Sequence, residues 1–304
     1  MPWLKFMAAT RSRSGFNMNE IANYIAVDTI EEAAETLAAG PVTVLAGGTD
    51  LMLQTEAGTR SYAATLMNIR RVAKLRGVGL EDGSLTIGAL TTVSDLLADP
   101  IIGAHCPILA ETADQFASPQ IRNMASIGGN ICNASPAGDL LVPLIALGAE
   151  VALVSKADGA LHSRRMPVEE FVIGPGASKL GDTEILTFVH IPSQDGAAGA
   201  FRKFGPRPAL EIAIAAVAVT GRIEDGKFAH MRVAFGAVAP TPVRGRAVEA
   251  ALEDKPATDE TINAALAATD ADISPIDDVR ASAWYRRHLI RTLTQEILAD
   301  VFRA

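Results

Sequence analysis

Two short glycine-bearing segments combine residue types that suit the binding of a phosphate group. They read AGGTD at residues 46–50 and SIGGN at residues 126–130. Glycine permits positive φ, so consecutive backbone N–H groups can converge on an anion, and the missing Cβ lets the main chain approach it closely. Thr49 and Ser126 could donate hydroxyl hydrogen bonds to the same oxygens. This pattern predicts two loops that share one phosphate-bearing ligand.

Two aspartates near these segments suit a different part of such a ligand. Asp50 ends the first segment, and Asp139 lies nine residues after Asn130. A carboxylate repels phosphate but accepts hydrogen bonds from sugar or ribityl hydroxyls, as acids do in dinucleotide sites. Gly-Gly pairs are also common in ordinary turns. The residues alone therefore leave two interpretations open, ligand-binding loops or merely structural bends.

Phosphate contacts of this kind need help from apolar contacts to hold a dinucleotide. One charged hydrogen bond contributes about 1.5–3 kcal/mol, so four contribute roughly 6–12 kcal/mol. Association itself costs on the order of 4–15 kcal/mol. A bound dinucleotide would also need an apolar slot for a ring system, which the flanking Leu and Ile segments could supply.

Other motifs for nucleotide, metal or covalent chemistry fail on residue identity or spacing. No GxGxxG follows a strand, which leaves a Rossmann site unsupported. The stretch GRIEDGK at 221–227 matches the start of a P-loop, but Phe228 stands where Ser or Thr must bind magnesium. The five histidines show no HExxH or other ligand spacing, and no GxSxG elbow marks a nucleophile. We therefore predict no catalytic side chain and no metal site.

Length and composition indicate a globular protein of two or three small domains. Of its 304 residues, 49% are hydrophobic and 20% are charged, which is unlike a disordered chain. A net charge of −8 argues against a nucleic-acid partner. Cys106 and Cys132 form no CxxC pair, so we expect a reducing, cytoplasmic compartment. Residues 1–16 lack the apolar core of a signal peptide, and no apolar run approaches the roughly 20 residues of a membrane span.

Hydrophobic periodicity and turn residues predict the elements that position the two segments. The predicted helices cover residues 28–40 (capped by Asp28, with Glu31 completing a capping box), 91–99, 108–118, 246–254, 259–271 and 282–302. The predicted strands cover 42–46, 64–69, 84–90, 183–192, a hairpin turning at Asp158-Gly159, and a three-stranded meander within 211–240 with Asp225-Gly226 at one turn. Residues 196–200, GAAGA, resemble a linker. The pattern is α+β in three parts, with boundaries near 70 and 195.

Five ordered stretches of the chain resemble the FAD-binding, or medium, subunit of molybdenum hydroxylases. This family includes aerobic carbon monoxide dehydrogenase and the flavin domain of xanthine dehydrogenase. The stretches are VLAGGTDLML at 44–53, the long segment 118–151, GDTEILTFVHIP at 181–192, and residues 201–219 and 282–298. The most specific motif is IRNMASIGGN, followed nine residues after its Asn by Asp139.

The resemblance implies a fold of the vanillyl-alcohol-oxidase type (PCMH type). An N-terminal FAD-binding subdomain at 1–69 and a middle FAD-binding subdomain at 70–195 would hold FAD non-covalently between them. A C-terminal domain at 196–304, with a three-stranded sheet and helices, would close over the isoalloxazine. The cofactor-binding residues that we predict are Val44, Leu45, Ala46, Gly47, Gly48, Thr49, Asp50, Leu51, Phe116, Ser126, Ile127, Gly128, Gly129, Asn130, Asp139, Leu186 and Lys203.

Two of these residues receive a role from the resemblance. Leu186 would pack near the flavin ring, and Lys203 would place a positive charge near the flavin edge, where it could favour the reduced anion. Without the resemblance, Phe116 and Leu186 would be interpreted as ordinary core residues.

The resemblance further implies an electron-transfer role. The chain would take electrons from two-iron clusters of a small partner subunit and pass them to NAD, a quinone or oxygen. A large molybdopterin subunit would oxidise the substrate, in a heterotrimer or a dimer of heterotrimers. A related subunit of 4-hydroxybenzoyl-CoA reductase binds a four-iron cluster through an inserted four-cysteine loop, whereas this chain has two cysteines in total. The alternatives are a cofactor-free scaffold subunit and a stand-alone flavin oxidoreductase of the same fold.

Overall fold

The computed structural model describes residues 21–58, 61–194, 196–207 and 211–302. The prediction that the first 16 residues are not a signal peptide lies outside the described residues. Helices and strands both occur throughout the described ranges, which confirms the predicted α+β class. None of the helices in these ranges combines the length and the apolar composition that a membrane span requires.

A small parallel sheet and two helices form the N-terminal part of the described chain. The elements are β1 (Asn23–Ala26), α1 (Ile30–Ala38), β2 (Val42–Leu45), α2 (Leu51–Glu56) and β3 (Thr65–Asn68). The strand order is β1-β3-β2, and β3 runs parallel to both neighbours. Helix α1 buries Ala33, Ala34 and Leu37, so its apolar face contributes to the core beside this sheet. The first glycine segment therefore follows directly from the end of strand β2.

Helix α1 begins at a different cap from the one that we predicted. The Oγ1 of Thr29 accepts a hydrogen bond from the Glu32 N–H at 3.1 Å, and the Glu32 carboxylate accepts one from the Asp28 N–H at 2.8 Å. Thr29 is therefore the cap rather than Asp28, and the predicted capping box with Glu31 does not form, because Glu32 instead accepts from the N–H of the residue before the cap. The Asp28 carboxylate instead pairs with Arg71 at 2.7 Å.

An antiparallel sheet of five strands organises the middle part. Its strand order is β4-β5-β10-β6-β7. The strands are β4 (Val78–Glu81), β5 (Ser84–Gly88), β6 (Glu150–Ala157), β7 (Ala160–Pro167) and β10 (Ile185–Ile191), and a separate pair is β8 (Val172–Gly174) and β9 (Ala177–Ser178). The hairpin at Asp158-Gly159 is confirmed, because both turn residues have positive φ and β6 pairs with β7 up to Ala157 and Ala160.

Short helices connect the strands of the middle part. They are α3 (Val93–Ala98), α4 (Pro100–His105), α5 (Pro107–Asp114), α6 (Pro119–Arg122), α7 (Ile127–Asn133), α8 (Leu141–Ala146) and α9 (Val168–Phe171). Helix α5 ends earlier than the predicted residue 118, because Gln115 caps it and Ala117 takes a left-handed φ of 37°. The second glycine segment lies at the beginning of α7.

The C-terminal part is a sheet covered by helices, and its strand count differs from the prediction. The elements are β11 (Ala198–Phe204), β12 (Ala215–Glu224), β13 (Lys227–Gly236), β14 (Val243–Arg244), α10 (Arg246–Leu252), α11 (Asp259–Ala268) and α12 (Ala283–Val301). The sheet has four strands in the order β11-β12-β13-β14 rather than three, and only two of them fall within residues 211–240. The predicted turn at Asp225-Gly226 joins β12 to β13 and is confirmed.

The stretch that we predicted as a linker enters strand β11 instead. Ala198 pairs with Gly221 at the start of this strand. A Cβ on Gly199 would lie 2.8 Å from the Val219 carbonyl oxygen and 2.9 Å from the Thr220 side chain. The small residues of GAAGA therefore permit close packing of strands and do not indicate a flexible connection.

The middle and C-terminal parts share the largest hydrophobic core. Phe201 and Ala216 of the C-terminal sheet belong to the same buried cluster as Leu109 and Val142. Helix α5 packs against β11, and α8 packs against β12 and β13. This shared core sets the position of strand β11 relative to the helices that precede it. The predicted domain boundaries near residues 70 and 195 stay a prediction.

Candidate functional site

The first glycine segment presents a row of unused backbone donors. It connects the end of β2 to the start of α2, and Gly48 within it has a φ of 74°, which favours glycine. Among the described residues, no acceptor binds the backbone N–H groups of residues 46–51. Such donors require an acceptor from water or from a ligand. The geometry therefore fits the predicted anion-binding loop at this segment.

The second glycine segment differs from its prediction, because its backbone donors are used within the protein. The N–H of Ile127 donates to the Thr91 carbonyl at 3.0 Å, and the N–H of Gly128 donates to the Ala89 carbonyl at 2.9 Å. The N–H of Gly129 donates to the Ser126 Oγ at 3.2 Å. The predicted convergence of these N–H groups on a phosphate is thus wrong for this segment.

Ser126 is the N-cap of helix α7, and this role explains why the N–H groups of Gly129 and Asn130 have acceptors within the segment. Its Oγ accepts from Gly129, while its carbonyl accepts from the Asn130 N–H at 3.0 Å. The hydroxyl group of Ser126 still has its own hydrogen, which it can donate to a ligand. Ser126 therefore remains able to contact a ligand through its side chain, although the neighbouring main chain does not.

One glycine of each segment leaves no room for a side chain. A Cβ on Gly47 would lie 2.0 Å from the carbonyl oxygen of Met124, just before the second segment. A Cβ on Gly128 would lie 2.7 Å from the Ala89 side chain. Because both contacts are with nearby main chain or its Cβ atoms, no larger residue fits without moving the backbone. The tertiary structure thus brings the two predicted segments together.

A small polar pocket lies between the two segments. Its volume is about 50 Å³, and its lining includes Ala46 and Gly47 from the first segment and Met124 and Ser126 from the second. The pocket therefore suits a compact charged group, and a ring system would have to lie elsewhere.

The side chain of Gln54 joins the helices that follow the two segments. Its Nε2 donates to the Oδ2 of Asp50 at 2.9 Å and to the Oδ1 of Asn133 at 2.8 Å. Asp50 ends the first segment, and Asn133 is the last residue of helix α7. One oxygen of Asp50, predicted to accept sugar hydroxyls, is therefore already bonded within the protein.

Two arginines at the pocket escaped the sequence prediction. Arg70 and Arg76 line it together with Leu90, Thr92 and Asn123. Arg70 follows strand β3, and Arg76 follows a short 3-10 helix over Ala73–Leu75. Nothing in the local sequence distinguishes Arg70 from its neighbour Arg71, which pairs with Asp28. Whether an arginine here is paired with a carboxylate or left for a ligand depends on which side chains the fold places next to it.

A buried ion pair joins two other predicted residues. The Nζ of Lys203 lies 2.6 Å from the Oδ2 of Asp139 and donates to the Gln115 carbonyl at 2.7 Å. Burial raises the pKa of Asp139, and the charge and hydrogen bond of Lys203 oppose that rise, while Glu211 adds to it. The ammonium of Lys203 is therefore paired within the protein, and its predicted place near the flavin edge stays a prediction.

The two predicted apolar contacts differ in their exposure. Phe116 is half-buried and follows Gln115, the acceptor for Lys203. Leu186 is 4% exposed and belongs to the largest core cluster. The structure therefore leaves Phe116 able to contact a ligand, whereas Leu186 takes the ordinary core position that its residue type alone suggests. Their contacts with a flavin stay predictions.

Comparison with known proteins identifies the family. Residues 16–194 match the model of the FAD binding domain in molybdopterin dehydrogenase, and residues 200–301 match the carbon monoxide dehydrogenase flavoprotein C-terminal domain. The chain belongs to this family of FAD-binding subunits. The resemblance stated from the sequence motifs is thereby confirmed.

Relatives of this FAD-binding family match the chain over nearly its full length. The xanthine dehydrogenase FAD-binding subunit of Escherichia coli O157:H7 is 35% identical, over 94% of this chain and 98% of that protein. The glyceraldehyde dehydrogenase medium chain of Sulfolobus acidocaldarius is 30% identical, over 92% and 98%. A solved structure of carbon monoxide dehydrogenase from Hydrogenophaga pseudoflava contains a chain with a TM-score of 0.87 and 31% identity, covering 93% of this chain and 98% of that one. These matches confirm the predicted fold class and an oxidoreductase subunit.

The residues at the site fit FAD in charge and in unmet hydrogen bonds. The backbone donors of residues 46–51 and the cations Arg70 and Arg76 suit a diphosphate. The Oδ1 atoms of Asn130 and Asp139 are buried without a hydrogen-bond partner in the described part of the chain. Buried oxygens of this kind need a donor, and hydroxyl or amide groups of the cofactor could supply one.

Proposed function

We propose that this chain is the FAD-binding, electron-transfer subunit of a molybdenum hydroxylase complex. In this proposal it takes electrons from two-iron clusters of a partner subunit and passes them to NAD, a quinone or oxygen. The observation that carries the proposal is the row of unused N–H groups at residues 46–51, in a segment that packs closely against the residue before the second glycine segment, Met124. The family match supports the same ligand.

The residues of this chain bind and orient the cofactor. The first segment would hold the diphosphate through its N–H groups, and Ser126 would add a hydroxyl donor. Asn130 and Asp139 would accept hydrogen bonds from the sugar or ribityl part through their Oδ1 atoms. Bound FAD would supply the redox chemistry that protein side chains lack. The pair of Lys203 and Asp139 would keep the nearby main chain in place and leave no net charge of its own.

The partners in this proposal hold the remaining redox groups. A large subunit would carry molybdopterin, and a small subunit would carry the two-iron clusters, in a heterotrimer or a dimer of heterotrimers. The medium chains among the relatives support this composition. A cytoplasmic location is supported by two cysteines that are both unbridged, as a reducing compartment requires.

Purification tests the cofactor directly. The isolated protein should show a flavin absorption spectrum and release FAD when it is denatured, and the apo-protein should recover the spectrum when FAD is added. A colourless protein that takes up no FAD would support the cofactor-free scaffold and refute the proposal.

Affinity capture from native extract tests the assembly. A molybdenum-containing subunit and a two-iron subunit should be recovered with the chain in equal amounts. Recovery of an FAD-loaded chain alone, with reduction of its flavin by a substrate in the absence of partners, would instead identify a stand-alone flavin oxidoreductase.

A further inference from the structure

The pocket between the glycine segments carries positive charge without a matching carboxylate. Arg70 and Arg76 both line it, and neither forms an ion pair within 4 Å in the described ranges. The neighbouring Arg71, by contrast, is paired with Asp28 at 2.7 Å. Two like charges at one pocket repel each other unless an anion lies between or beside them.

The contacts of Arg76 hold its side chain toward the pocket. Its Nη2 donates to the Arg70 carbonyl at 3.1 Å, and its Nη1 lies 3.5 Å from the carbonyl oxygen of Leu90, which also lines the pocket. A guanidinium has five N–H groups, so these two contacts leave others for a ligand. The Nη2 of Arg70 contacts the Met124 Sδ at 3.6 Å, on the side of the second segment.

The unused donors of the first segment lie at the same pocket. The N–H groups of Ala46 and Gly47 belong to the row that has no acceptor among the described residues, whereas the N–H groups of residues 127–130 are used internally. One of the two expected sets of main-chain phosphate donors is therefore missing. Guanidinium groups bind phosphate through paired hydrogen bonds, and the two arginines line the same pocket as Met124 and Ser126 of the second segment region.

We infer that Arg70 and Arg76 bind the diphosphate of FAD between the two glycine segments. This inference rests on the proposed function and adds two cofactor-binding residues to it. It also sets a preference among flavins. A flavin with a diphosphate makes these contacts, a monophosphate makes fewer, and riboflavin makes none.

Binding of FAD, FMN and riboflavin to the apo-protein tests this inference. The variants are Arg70→Gln, Arg76→Gln and the double variant, with Arg71→Gln as the matched control, and the readout is quenching of flavin fluorescence at several salt concentrations. Each single substitution should weaken FAD binding roughly tenfold, the effect of one lost charged hydrogen bond. The salt dependence of FAD binding should become shallower, riboflavin binding should not change, and the control should match the unaltered protein.

Three results would overturn the inference. FAD affinity equal to that of the unaltered protein would remove both arginines from the site. A parallel loss for FAD and riboflavin, with a lower melting temperature of the apo-protein, would assign the arginines a structural role only. An equal loss in the Arg71→Gln control would assign the effect to net charge. If the unaltered protein itself binds no FAD, the proposed function fails first, which is a separate outcome.

Discussion

The Nζ of Lys203 lies 2.6 Å from the Oδ2 of Asp139, and both side chains are less than one-tenth exposed. Asp139 follows helix α7, which begins with the second glycine segment, and Lys203 lies on strand β11 of the C-terminal sheet. A single buried ion pair thus ties the C-terminal sheet to the polypeptide that forms the candidate site. Removal of this ion pair should lower both the free energy of unfolding and the affinity for the cofactor.

Replacement of Lys203 by methionine should lower the free energy of unfolding by about 3–5 kcal/mol, because the Asp139 carboxylate would remain buried without its partner. Urea denaturation of the apo-protein at neutral pH measures this loss. The double variant Lys203→Met with Asp139→Leu should recover part of it, since neither charge remains. An exposed control, Arg71→Met, breaks the pair with Asp28 and should cost less than about 1 kcal/mol.

The same variant should show a distinctive pH dependence. Lys203 opposes the rise that burial causes in the pKa of Asp139, so its removal should raise that pKa further. A raised folded-state pKa destabilises the protein above the unfolded-state pKa and not below it. The deficit of the Lys203→Met variant should therefore shrink as the pH falls. A deficit that is constant with pH would contradict an ionised Asp139.

Replacement of Gly47 by alanine should abolish FAD uptake. The new Cβ would lie 2.0 Å from the Met124 carbonyl oxygen, so the first segment would have to move away from the second. Titration of the apo-protein with FAD gives the measurement. Gly103→Ala is the control, because a Cβ at Gly103 meets nothing within 4 Å. If Gly47→Ala binds FAD as well as that control, the contact between the segments does not shape the site.

Replacement of Gly129 by valine should separate binding from folding. A Cβ at this position would meet only the Ser126 Oγ, at 3.0 Å, and Gly129 is exposed. The fold should therefore persist, as circular dichroism and the melting temperature would show. FAD affinity should fall strongly, because the β-branched side chain would occupy space beside Ser126. Unchanged affinity would place the cofactor away from the start of α7.

Replacement of Gln54 by leucine should weaken FAD binding by up to about thirtyfold. The variant removes both hydrogen bonds of Nε2, to Asp50 and to Asn133, and each is worth about 1 kcal/mol when it is part of the organised site. Calorimetric titration with FAD measures the change. Asn133→Ala should reproduce part of the loss, and the double variant should add little to Gln54→Leu if the residues act together. Full additivity would argue against a joint role.

Residues only a few positions apart in the sequence were enough to predict several turns and helix starts. Asp-Gly pairs at 158–159 and 225–226 favour tight turns, and both form the hairpin turns of the structure. Helices α11 and α12 begin at capping residues Thr258 and Ser282, close to the predicted starts. These features depend on residues a few positions apart, so the sequence alone contains the required information. The cap of α1 was predicted one residue early, because Asp28 and Thr29 are both good caps and the contact of Asp28 with the distant Arg71 lies outside any local pattern.

The sequence by itself also identified the two glycine segments, because each combines a Gly-Gly pair with a nearby hydroxyl and a nearby acidic residue, but it identified only Ala46, Gly47 and Ser126 among the residues that line the pocket between them. Only the tertiary structure decided which donors remain unused. In the second segment, the N–H groups of Ile127 and Gly128 donate to carbonyls of Thr91 and Ala89, more than 30 positions away in the chain. The tertiary structure likewise places Arg70 at the pocket, whereas it pairs the neighbouring Arg71 with Asp28. It also pairs Lys203 with Asp139. Residue types state which hydrogen bonds and charges are available, whereas the folded neighbours determine which of them are already satisfied.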